Sequence, residues 1–65
     1  MKAYEVISRR VERNGITVSE LARRTEIDYM ALRGSLLGKR ALKADELISL
    51  AAELSLEMSD FYKAS

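Results

Sequence analysis

The chain has 65 residues, an apolar fraction of 48%, no Cys, no His and a net charge of +1, which allows one small domain near the lower size limit for folding without staples. Without His or Cys the commonest general base, the commonest metal ligand and all thiolate chemistry are gone, so neither catalysis nor metal binding is expected. The small net charge hides a division: residues 1–43 carry ten Lys/Arg against five acidic residues, and residues 44–65 carry one Lys against five acids.

Helical spacing runs throughout the sequence, period-two alternation is nowhere sustained, and there is no Pro. Tyr4, Ile7 and Val11 mark the inner stripe of a first helix over residues 2–13, which Asn14-Gly15 ends because Gly accepts the left-handed cap. Thr17-Val18-Ser19-Glu20 reads as a capping box, the Thr hydroxyl and the Glu carboxylate each satisfying a backbone N–H, with Ile16 and Leu21 placed as a hydrophobic staple. Val18, Leu21, Ala22 and Thr25 give this second helix its inner side. A break near Glu26-Ile27 follows, and Asp28 is placed to N-cap a third helix reaching about Leu37, with Leu32, Ser35 and Leu36 inward. Gly38 ends it, and Lys39-Arg40 form a basic turn. The fourth helix, residues 44–54, opens with Asp45 and Glu46, favourable beside the positive end of the helix dipole. Its inner stripe is Leu47, Leu50, Ala51 and Leu54. Leu56 packs the connector, and a last helix over residues 58–63 holds Met58, Phe61 and Tyr62. The expected core contains Leu21, Ala22, Leu32, Leu36, Leu47, Leu50, Leu54 and Phe61, with Tyr4 inside and Tyr29 on the surface.

Gly15-Ile16-Thr17, Ser19-Glu20-Leu21-Ala22, Ile27, Leu32 and Gly38-Lys39-Arg40 together resemble the helix-turn-helix of phage repressors and Cro proteins. The acidic opening of the fourth helix, Leu50-Ala51 and Leu54-Ser55-Leu56 extend the resemblance to about residues 4–63. It implies an all-α, compact five-helix lambda-repressor-like domain spanning 1–65, with the helix-turn-helix over residues 16–37. In that family the second helix braces against the DNA backbone and the third lies in the major groove. Carried over by position, Thr17, Ser19 and the N–H groups beside them would meet a phosphate, as helix N-termini do. Asp28, Tyr29, Met30 and Arg33 would face the groove, and Lys39 and Arg40 would grip the next phosphates. Arg33 can fork onto guanine O6 and N7, Tyr29 can stack or donate its hydroxyl, and Met30 offers apolar contact to a thymine methyl.

The chain departs from the family's pattern at several of these places. Val18 stands where a phosphate-binding Gln is frequent, and Glu26 where a turn Gly is usual. Asp28, Gly34 and Leu37 occupy positions where Gln, Asn, Ser or Lys commonly meet DNA. Asp28 would repel phosphate unless its carboxylate serves the helix start or a cytosine amino group. Val11 and Leu36 replace an Arg and a Glu that often pair, an exchange of a buried ion pair for apolar packing.

The expectation is a sequence-specific, DNA-binding transcriptional regulator without cofactor, acting on a double-stranded operator as a weak homodimer formed on DNA. Met58, Phe61 and Tyr62 are the candidate dimer contact. No apolar run approaches the ~20 residues of a membrane span and the start MKAYEVISRR lacks a signal peptide's apolar stretch, so the expected location is the cytoplasm of a bacterial or phage-infected cell. The alternative function keeps the helix-turn-helix as a scaffold that binds another regulator, in the manner of an antirepressor.

Overall fold

In the computed structural model, residues 2–63 are described, and they form five helices and no strand. These are α1 (Ala3–Asn14), α2 (Val18–Thr25), α3 (Tyr29–Leu36), α4 (Ala44–Glu53) and α5 (Met58–Lys63). None of them is long and apolar enough to cross a membrane.

The helices begin in two ways. For α2 and α3 a short side chain accepts from the third helical N–H: Thr17 Oγ1 from Glu20 N–H and Asp28 Oδ2 from Ala31 N–H, both at 3.1 Å. At α1, α4 and α5 the third helical residue reaches back instead. The carboxylates of Glu5, Glu46 and Asp60 accept from the N–H groups of Lys2, Lys43 and Glu57 at 2.9, 3.0 and 2.7 Å. The reciprocal box expected at Thr17–Glu20 is therefore only half formed. Glu20 turns its carboxylate to Arg23 and Arg24, whose charge is a stronger attraction than a neutral N–H.

Helix ends repeat one device. Ile27, Lys39 and Leu56 donate their N–H groups back to Ala22, Gly34 and Ala51 carbonyls at 3.2, 2.9 and 2.8 Å. Each follows a left-handed residue, Glu26 (φ 58°), Gly38 (φ 78°) and Ser55 (φ 56°), the geometry that consumes otherwise orphaned carbonyls. Gly38 has a second reason to be Gly: a Cβ there would sit 2.7 Å from the Tyr4 ring. The Tyr4 ring itself is half-buried.

The core is aliphatic. Ile7, Leu21, Leu32 and Leu50 are wholly excluded from solvent, and Val6, Val11, Ala22, Leu54 and Leu56 are buried around them. Leu36, Leu47 and Phe61 pack against this cluster but stay partly exposed, because so small a domain has too little interior to enclose every apolar side chain. α2 lies against α3 and α4, and α1 against α3 and α5. Ala22 is small and buried on α2, as a close approach between helices requires. Val11 and Leu36 line one shallow groove with Ser8 and Val18, and Ser8 Oγ donates to the Leu36 carbonyl at 2.9 Å, fastening α1 to the end of α3.

Candidate nucleic-acid interface

The third helix has two opposite faces. Leu32 and Ser35 are wholly buried on one side. On the other, Tyr29 (42% exposed) and Met30 (67%) stand in solvent with the exposed Arg33, continued by the capping residue Leu37 (57%). Spacings of three and four residues put these four in a single stripe. Arg33 has no hydrogen-bond or ion-pair partner among the described residues. The helix is held from behind by its buried side and presents the stripe outward.

The two flanks of the stripe differ from expectation in one respect. Lys39 follows the end of α3, its N–H on the Gly34 carbonyl and its side chain exposed, with no ion-pair partner among the described residues. Arg40, expected beside it on phosphate, is committed inward. Its Nη1 donates to the buried Ser35 Oγ at 2.8 Å, and Nη1 and Nη2 donate to Glu46 Oε1 and Oε2, both at 3.0 Å. Pairing with Arg40, together with the Lys43 N–H, holds the Glu46 carboxyl below its usual range, and the same pair raises Arg40. A planar guanidinium that closes a bidentate fork and also satisfies a buried hydroxyl ties the basic turn to α4 and is not free for DNA. Asp28, at the N-cap of α3, likewise spends Oδ2 on the helix start, while its charge still acts on Arg40.

Thr17 and Ser19 are exposed at the start of α2. Thr17 Oγ1 acts as an acceptor inside the cap, leaving its own O–H and the first N–H groups of the helix to face outward. Close by, Glu20 binds both Arg23 and Arg24, and these two guanidinium groups lower its carboxyl from 4.5 to about 2. Arg24 also reaches Glu53 on α4 at 3.5 Å. Among the described residues, ion pairs join the acidic second part of the chain to the basic first part at Arg24–Glu53 and Arg40–Glu46. Arg24 and Arg40 are thereby drawn away from the basic surface.

The residues placed at the dimer contact lie on α5, where Met58 and Tyr62 are exposed and Phe61 is half-buried. Met58 and Phe61 border an apolar groove together with Ile48, Ala51 and Ala52 of α4. Ile48, which the stripe of the fourth helix assigned to neither core nor contact, is 69% exposed there. Two polar ties also escaped the sequence reading, Ser8 on the Leu36 carbonyl and Arg10 on the Leu54 carbonyl at 3.1 Å. Both join residues distant in the chain, and no local spacing signals them. The Arg40–Glu46 pair did carry a signal: an acid at the third position of a helix that begins just after a basic turn.

No family model, curated protein or solved structure matches the chain.

Proposed function

We propose that this chain is a sequence-specific DNA-binding transcriptional regulator of the phage repressor/Cro kind, with α2 and α3 as its helix-turn-helix and α3 in the major groove. The observation that carries the reading is the outward stripe of α3. A helix anchored by two wholly buried residues presents an unpaired Arg33 between exposed large side chains, with the unpaired Lys39 at its end. In this reading Arg33 takes a guanine edge, and Lys39 with the start of α2 at Thr17 and Ser19 takes phosphate. Arg40 positions the turn instead of touching DNA.

The domain's longest dimension is 28 Å, shorter than the ~34 Å between half-sites one turn apart. On this reading two copies occupy the two half-sites of an operator, and the groove of Ile48, Met58 and Phe61, together with Tyr62 of α5, is the surface proposed to join them. Glu57 and Asp60 lie on the same end of the molecule, so like charges keep the contact weak until DNA assembles it.

A second reading, an interaction module that binds another regulator, is favoured by one observation: three of the four exposed stripe residues are apolar or aromatic. Fluorescence anisotropy against a random-core duplex pool, repeated across salt concentrations, separates the two. The DNA reading expects affinity that falls with salt through counterion release and an enriched sequence. It also expects Arg33→Ala to lose sequence preference while Lys39→Ala weakens all duplexes alike. Absence of duplex binding at any salt refutes it in favour of the interaction module.

A further inference from the structure

The outward stripe of α3 holds one group able to make a directed pair of hydrogen bonds to a base, the guanidinium of Arg33. Tyr29 adds a single hydroxyl, and Met30 and Leu37, both well exposed, can donate nothing. A stripe of this composition cannot read a run of donors and acceptors. The one group on a major-groove base edge that gains from meeting an apolar side chain is the thymine 5-methyl. Met30 and Leu37 are two turns apart on the same stripe, about 10 Å along the axis at 1.5 Å per residue. That separation matches about three base-pair steps of ~3.4 Å. Arg33 lies between them. Lys39 is exposed beyond Leu37 with no ion pair among the described residues, and Asp28 gives one carboxylate oxygen to the helix start.

We infer that α3 reads its site chiefly through thymine methyl groups, Met30 and Leu37 each covering one, about three base pairs apart, with Arg33 on a guanine between them. The inference rests on the reading of α3 as the helix in the major groove.

The test uses the whole chain and a duplex that it selects from a random-core pool. That duplex is resynthesised with deoxyuridine in place of thymidine, one position at a time. Uracil keeps every hydrogen-bonding group of thymine and lacks only the methyl. Two positions per half-site should each lose about fourfold in affinity, the worth of one buried methyl. Met30→Ala and Leu37→Ala should each abolish the uracil sensitivity of one of those positions, with melting temperatures unchanged because both side chains are exposed. Selective binding that survives full uracil replacement without loss overturns the methyl readout and leaves DNA binding standing. Failure to select any duplex at low salt overturns the DNA reading beneath it.

Discussion

Glu46→Gln is the substitution that most directly tests how the basic turn is used. In the native domain both Glu46 oxygens accept from Arg40 at 3.0 Å, and Oε1 also accepts from the Lys43 N–H at 3.0 Å. Gln keeps the shape and one acceptor oxygen, so the start of α4 retains its bond to Lys43. What is lost is the charge that holds the guanidinium. The lowered Glu46 and raised Arg40 show the pair to be fully ionised at neutral pH, so the loss is felt under ordinary conditions. The melting temperature should fall, because the turn between α3 and α4 is no longer clamped. Non-specific DNA binding should move the other way. One released cation beside Lys39 adds about one phosphate contact, steepening the dependence of log K on log salt by about 0.9. With that contribution vanishing near 1 M salt, the same slope gives about an eightfold gain near 0.1 M. Anisotropy titrations of a random-sequence duplex across that range read both quantities. The Arg40→Gln/Glu46→Gln double variant should lose the gain. An unchanged slope in Glu46→Gln would refute the reasoning, because Arg40 would then be out of reach of phosphate even when released.

Ala22→Leu should overpack the contact of α2 with its neighbours, costing ~1–3 kcal/mol; thermal denaturation with an unaltered midpoint would show that this buried position is not a tight crossing. Glu26→Gly and Ser55→Gly should each raise stability by about 1 kcal/mol, since both native residues hold left-handed backbone that costs an L side chain roughly that much; chemical denaturation measures it. The Glu20 carboxyl, at about 2 instead of 4.5, contributes stability that is fully present above about pH 4.5 and lost as pH falls through about 2. Glu20→Gln should therefore flatten that part of the acid-denaturation profile, and an identical profile would show that the two arginines leave Glu20 unperturbed.

The helix count and most of the core were legible because they depend on local spacing. Leu21, Ala22, Leu32, Leu50 and Leu54 repeat at helical intervals and are buried. Asp28 precedes α3 and caps it. The left-handed backbone at Glu26 was legible from the missing Gly, whereas that at Ser55 was not, because Ser in a short connector carries no conformational mark. Legibility failed where a residue had a choice of partner. Glu20 was equally able to close a capping box or to bind arginine, and only the folded turn of α2, which brings Arg23 and Arg24 to it, decides. Arg40 looked like a surface cation in a basic turn. Ser35 reads as inward from helical spacing, but that the turn after α3 folds Arg40 back onto its hydroxyl depends on the tertiary packing. For the candidate site, Tyr29, Met30, Arg33 and Leu37 stand at positions carried over by the resemblance, while their shared exposure and the withdrawal of Arg40 required the fold.

That withdrawal changes what limits recognition. On the DNA-binding reading, Arg24 tied to Glu53 and Arg40 tied to Glu46 are two cations withheld from phosphate, and each missing contact removes part of the sequence-independent attraction. Weak attraction to arbitrary DNA lowers competition from non-specific sites, so a modest set of base contacts can still discriminate. Doubling the protein doubles the unpaired cations and the α3 stripes together, and does so only where two half-sites are correctly spaced. In such a design the acidic part of the chain is not a passive back. On the DNA-binding reading, its pairs with Arg24 and Arg40 would shift part of the burden of binding from charge to the fit of α3 and to the pairing of two copies.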